Sequence, residues 1–229
     1  MIYDKIEILS LPKSFDLWGM FDYINPVNVE QNPDDVLFDG YPGELDSDDI
    51  EDIYAFRYGE SATGIHLVWH PMAKTLQVSL PRWAVDGDVD CWAACLNGIL
   101  EKHPRCKLVA GDKVLRKIEP DVVNAVKADR FRRLRKKLSE GRPFDLEGLN
   151  VVCEIDANQS ATEEDARLLQ RDFASCSTVR YAFPDISLIR RRVRSTLGCS
   201  MILYSLTNVT LNGLQRRFSC LALLKENLG

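Results

Sequence analysis

The chain lacks any apolar run approaching the roughly 18 residues that a membrane span needs. Its opening, MIYDKIEILSLPKSF, has no basic segment followed by an apolar one, so the sequence predicts no secretory leader and a cytoplasmic location. The motifs of the large catalytic classes are missing too: there is no G-x-S-x-G, H-E-x-x-H, P-loop or G-x-G-x-x-G. These absences remove the commonest hydrolase, metalloprotease and nucleotide-binding signatures. They leave no cofactor and no catalytic residue to expect. Repeats and low-complexity tracts are absent as well.

A disulfide framework is equally absent. The seven cysteines, Cys91, Cys95, Cys106, Cys153, Cys176, Cys199 and Cys220, are odd in number and spread through hydrophobic segments. They read as buried thiols in a reducing compartment. Metal ligands converge poorly. Cys91 and Cys95 share a helical face with His103 and Cys106 downstream, but a C-x3-C spacing has no second knuckle, and Pro104 intervenes. His66 and His70 lie on a predicted strand, where four residues separate them by about 13 Å, too far for one ion. The acidic run fails as an EF-hand, because counting from Asp46 puts Glu51 where the turn needs Gly and Arg57 where it needs Glu. No metal is expected. Gly198-Cys199-Ser200 has neither a strand–turn–helix setting nor a nearby His to activate the thiol.

What is present is an ordinary globular composition with an uneven charge. Of 229 residues, 45% are apolar and 28% charged, enough for one large domain or two small lobes. The net charge of −5 conceals a polarity. Residues 1–60 hold fifteen acids against three cations, or −12, whereas residues 101–150 hold fourteen cations against eight acids, or +6. The acidity peaks in ELDSDDIEDIY, Glu44 to Tyr54, and the basicity in RFRRLRKKL, Arg130 to Leu138.

Hydrophobic periodicity gives an α+β outline of mainly antiparallel strands covered by two or three helices. Strands are predicted at Tyr3–Leu11, in IYAFRYG, and as a hairpin of GIHLVWH and TLQVSL about Pro71. A short helix is predicted over Ser14–Tyr23, and a long loop over Asn25–Asp52, which is rich in Asn-Pro, Asp-Gly and Pro-Gly. Asp86 or Asp88 caps a helix whose apolar face is Val89, Trp92, Ala93, Leu96, Ile99 and Leu100. Two short strands flank Ala110-Gly111-Asp112. Glu119-Pro120-Asp121 opens a second helix, with Val123, Val126, Phe131, Leu134 and Leu138 in register and cations at its C-terminal end. LNVVCEI is a strand, and Thr162 to Asp165 resembles a capping box opening a third helix. STVRYAF, the stretch Ile186–Val193, CSMILYSL and FSCLALL complete the strands. SEGRPFDLEG marks a boundary between lobes at 1–140 and 145–229, or a connecting loop in one continuous domain.

Two stretches carry a resemblance. The order GIHLVWH–TLQVSLP–DVDCWAACLNGIL, and VRYAFPDISL followed by MILYSLTNVTL, resemble a family of bacterial proteins known only as a domain of unknown function, over roughly residues 60–210. The acidic first quarter and IRRRVRS depart from it. The resemblance implies a bacterial, cytosolic α+β protein and carries over no catalytic residue.

Three classes of function follow. In the first, Glu44, Asp46, Asp48, Asp49, Glu51, Asp52 and Tyr54 form a surface for a basic partner protein, as an immunity-type inhibitor masks a toxin. In the second, Arg130, Arg132, Arg133, Arg135 and Lys136, with Arg190, Arg192 and Arg194 on one strand face, neutralise nucleic-acid phosphates. The third is an enzyme without a recognisable motif. Oligomeric state is not legible. The acidic and basic runs could also simply neutralise each other, and exposed ion pairs contribute only about 0–1 kcal/mol each.

Overall fold

The computed structural model describes residues 3–22, 24, 28–31, 50–149, 152–155, 162–177, 187–194 and 200–207. Of these, residues 22, 28–31, 152, 154, 176, 187–194 and 200–207 are described by their backbone alone. The architecture is α+β. Strands β1 (Lys5–Leu9), β2 (Asn28–Gln31), β3 (Glu51–Phe56), β4 (Ile65–His70), β5 (Thr75–Ser79), β6 (Lys107–Ala110) and β7 (Lys113–Leu115) form one sheet in the order β2-β3-β4-β5-β1-β6-β7. Every pairing is antiparallel.

Period-two alternation decides which face is buried. Ile6, Ile8, Ile53, Ala55, Ile65, Leu67, Trp69, Leu76, Val78, Leu108 and Ala110 all lie on one face and are buried. Their neighbours Glu7, Asp52, Tyr54, His66, Val68, Gln77 and Val109 take the other face and stay partly exposed. Helix α1 (Asp86–Lys102) covers the inner face with Val89, Trp92, Leu96 and Ile99, within one core that also takes Phe15, Leu17, Met20 and Ile24. Gly111, at φ +57°, makes the β6–β7 turn that the sequence predicts.

Helix α2 (Pro120–Ser139) gives Val126 to this core and Leu134 and Leu138 to a second one. The second core is closed by the hairpin of β8 (Phe144–Glu147) and β9 (Val152–Ile155), by α3 (Glu163–Ser177), and by Ala62 and Val85. Strands β10 (Ser187–Arg194) and β11 (Ser200–Thr207) form a separate antiparallel pair. Among the described residues, no helix is long and apolar enough to cross a membrane.

Three local expectations need correction. The helix over Ser14–Tyr23 is only a 3-10 turn at Gly19–Asp22. The Asp16 carboxylate accepts the Trp18 N–H at 3.0 Å, a local bond that competes with helix, as short acidic side chains do. The loop Asn25–Asp52 contains β2, and it ends at Glu51, where β3 begins. SEGRPFDLEG contains β8. The terminal strands STVRYAF, beyond its first residue Ser177, and FSCLALL fall outside the described residues.

The helix cap also differs in kind. Val85 is the N-cap residue of α1, and Asp88 reaches back to accept its N–H at 2.9 Å. The same carboxylate accepts the N–H groups of Ala62, Thr63 and Gly64 at 2.8–3.2 Å, and Thr63 Oγ1 lies 3.0 Å from it. Asp88 is fully buried. Burial pushes its carboxyl above the usual aspartate range, while the N–H groups of Val85, Thr63 and Ala62 pull it back. It ties the 61–64 strap, which leads into β4, to the start of α1.

Candidate functional site

The acidic segment enters the described fold at β3. Tyr54 lies directly opposite His66 of β4, and their rings stack with centroids 4.9 Å apart. Asp52 Oδ1 is hydrogen-bonded to His66 Nε2. Asp52 itself faces Val68, so the contact runs diagonally across the strand pair, within reach of such side chains. A carboxylate, an imidazole and a phenol are thus held together on the outer sheet face by two rigid strands. Beside them Ile50 is 59% exposed. Glu44, Asp46, Asp48 and Asp49 lie outside the described residues.

Glu51 takes the opposite face by alternation. Burial pushes its carboxyl above the ordinary range, and the nearby Asp16 carboxylate adds to the rise. A carboxyl raised in the folded state binds its proton more tightly there than in the unfolded chain. Its ionisation therefore costs stability, and the cost appears as pH rises through the folded pKa. Glu51→Gln is expected to raise the melting temperature at neutral pH and leave it unchanged in acid, which melts of both proteins across pH would read.

The basic helix is largely neutralised by nearby acids. Lys127 pairs with Asp90 at 2.7 Å, Arg133 with Asp129 at 2.7 Å, Arg135 with Glu163 at 3.2 Å and Lys137 with Glu140 at 2.7 Å. Arg132 reaches Asp129 at 3.6 Å. Arg130 is only 3% exposed. It donates to Asp4 at 2.8 Å and to the Leu80 carbonyl at 3.1 Å. Burial pulls its guanidinium pKa down, and Asp4 opposes the fall. Its burial takes Arg130 out of any phosphate-facing surface. Arg132, Arg135 and Lys136 remain exposed. Arg190, Arg192 and Arg194 occupy alternate positions of β10, opposite Tyr204, Ile202 and Ser200.

Among the described residues, the thiols and imidazoles do not converge. Cys91 and Cys95 hydrogen-bond to each other inside α1, and that bond, then burial, pushes the Cys91 thiol well up, away from the reactive thiolate. Cys106 Sγ donates to the Ser10 carbonyl at 3.5 Å, and His103 packs edge-on against Phe15. Cys199 falls outside the described residues. Among the described residues, no group of three or more His, Cys, Asp or Glu is placed to hold a metal ion.

Sequence reasoning picked out Asp52 and Tyr54 but missed their partner His66, although the register of the β3–β4 pair would have found it. It also passed over Glu163, where a carboxylate meets Arg135 and Arg167. No protein-family model, no curated protein and no solved structure matches the chain.

Proposed function

We propose that this chain is a non-enzymatic cytoplasmic binding protein whose partner is a basic protein. The contact is the acidic segment Glu44, Asp46, Asp48, Asp49 and Asp52, with Tyr54 as its aromatic anchor; Glu51, on the opposite sheet face, is left out of it. An immunity-type inhibitor that covers the cationic surface of a bacterial toxin is its concrete form.

The supporting observation is the local neutralisation of α2. Six of its seven cations reach an acid among Asp4, Asp90, Asp129, Glu140 and Glu163, Arg132 only at 3.6 Å. The helix therefore does not require the Glu44–Asp52 run as a counter-charge. The first sixty residues carry −12, the charge on which this reading draws. Such a one-signed surface raises the encounter rate with a cationic partner by roughly 10–10³, an effect that salt screens. Large, rigid side chains such as Tyr54 and the exposed Ile50 supply the apolar contact such interfaces need.

The test is affinity capture from bacterial lysate with the wild-type chain and with a variant carrying Asp46→Asn, Asp48→Asn, Asp49→Asn and Asp52→Asn. One basic protein held by the wild type, released by salt and not held by the variant is the expected result. Equal capture by both proteins, with both folded by circular dichroism, would overturn the reading.

A further inference from the structure

We propose that the cleft between α2 and α3 is a binding site for a small organic phosphate. This inference uses none of the acidic-surface residues and stands apart from the protein-binding reading.

The cleft is an open groove of about 510 Å³, within the size range of small-molecule sites. Arg132, Arg135 and Lys136 line one wall. Their spacing of three and four residues puts all three on one face of α2. Against these three cations, the one carboxylate among the described lining residues is Glu163. The lining thus carries an excess of two positive charges, which matches the charge of about −1.5 to −2 on a phosphomonoester near neutral pH.

Glu163 also reveals what the cleft can do. Its carboxylate sits between Arg135 at 3.2 Å and Arg167 at 2.9 Å. The hydrogen bond from Arg167 leads in holding its carboxyl below the ordinary glutamate range. The chain already seats one anion between two guanidiniums here. The neighbouring cations have donors to spare. Arg132 reaches its nearest acid, Asp129, only at 3.6 Å, and Arg133 grips that carboxylate at 2.7 Å. Lys136 is exposed at the cleft wall. An arginine fork and a lysine point charge are the usual pair for phosphate oxygens.

The hydroxyls do not compete for this role. Ser139 donates to the Lys136 carbonyl at 2.8 Å, and Thr162 Oγ1 is engaged by Asp165 at 2.8 Å. Phe131 and Leu138 supply the apolar wall for the organic part of the ligand. Arg167 lies 4.9 Å from the centroid of the Phe131 ring, over its face. That face is therefore engaged, which disfavours base stacking and so favours a compact phosphate ester over a single-stranded nucleic acid.

Calorimetric titration of the full chain with phenyl phosphate tests this. Saturable binding by the wild type is expected, weakened by about tenfold or more in Arg132→Ala/Lys136→Ala. Glu163→Gln, which removes the competing carboxylate, is expected to bind more tightly than the wild type. Both sets of changes are at exposed positions, and melting curves establish that the variants fold. No saturable binding, or equal affinity in the wild type and the double variant, overturns the proposal. So does looser binding by Glu163→Gln. Binding of a short single-stranded DNA without binding of phenyl phosphate would overturn it in favour of a nucleic-acid surface.

Discussion

Replacing Asp88 by Ala is expected to cost about 3–5 kcal/mol, because each buried donor left without an acceptor costs about 1–3 kcal/mol and the junction can relax only in part. Four backbone N–H groups, from Ala62, Thr63, Gly64 and Val85, would lose their acceptor in a place water does not reach. For a chain of this size each kcal/mol lowers the melting temperature by about 2–4 °C, so the drop should be about 10 °C. Asp88→Asn is the sharper variant. It keeps the volume, but its amide turns donors toward groups that are themselves donors. A fall nearly as large as that of Asp88→Ala would assign the effect to the lost acceptors. A melting temperature unchanged in both variants would mean that the strap and helix hold together without the carboxylate.

Gly87→Ala should damage the same junction from the other side. A Cβ at Gly87 would lie 2.2 Å from the Glu60 carbonyl oxygen and 2.5 Å from its carbon. Both are backbone atoms and cannot swing aside as a side chain would. The strap and the first turn of α1 would have to part, stretching the bonds that Asp88 makes to residues 62–64. Overpacking of this kind costs about 1–3 kcal/mol, and the loss of hydrogen bonds adds to it. Alanine otherwise favours a helix over glycine by about 1 kcal/mol, so a destabilised Gly87→Ala protein would run against propensity. Because both variants open one junction, the double variant should lose less than the sum of the two single losses. Urea unfolding of the four proteins would measure this, and full additivity would separate the two effects.

These two residues mark the limit of what the sequence makes legible. The β4–β5 hairpin, the apolar face of α1 and the start of α2 are local patterns, so periodicity and cap residues reveal them directly. Strand β2 has one apolar residue in Asn28–Gln31 and exists because β3 offers it an edge. Asp88 reads as a helix cap, but it lies inside the first turn and reaches back to the Val85 N-cap, and four of its five donors come from residues 24–26 positions earlier. Composition cannot carry that information. Arg130 hid inside a run of cations, where charge suggests a solvated face. Its position on the 126–130–134–138 diagonal, among Val126, Leu134 and Leu138, was the available sign of burial. The Asp52–His66 contact needed strand register, which single-sequence patterning leaves open.

The path of α2 has one further consequence. A single helix of 20 residues serves both cores, with Arg130 pinned to Asp4 and Leu80 between the two contact zones. Helical order propagates along the backbone once nucleated, so each half of α2 depends on the other to stay wound. Loosening of the β8–β9 hairpin would reach the large sheet through that shared axis. The two cores that share α2 are therefore expected to loosen together, and hydrogen exchange along α2 would read this as similar protection of the amides in its two halves.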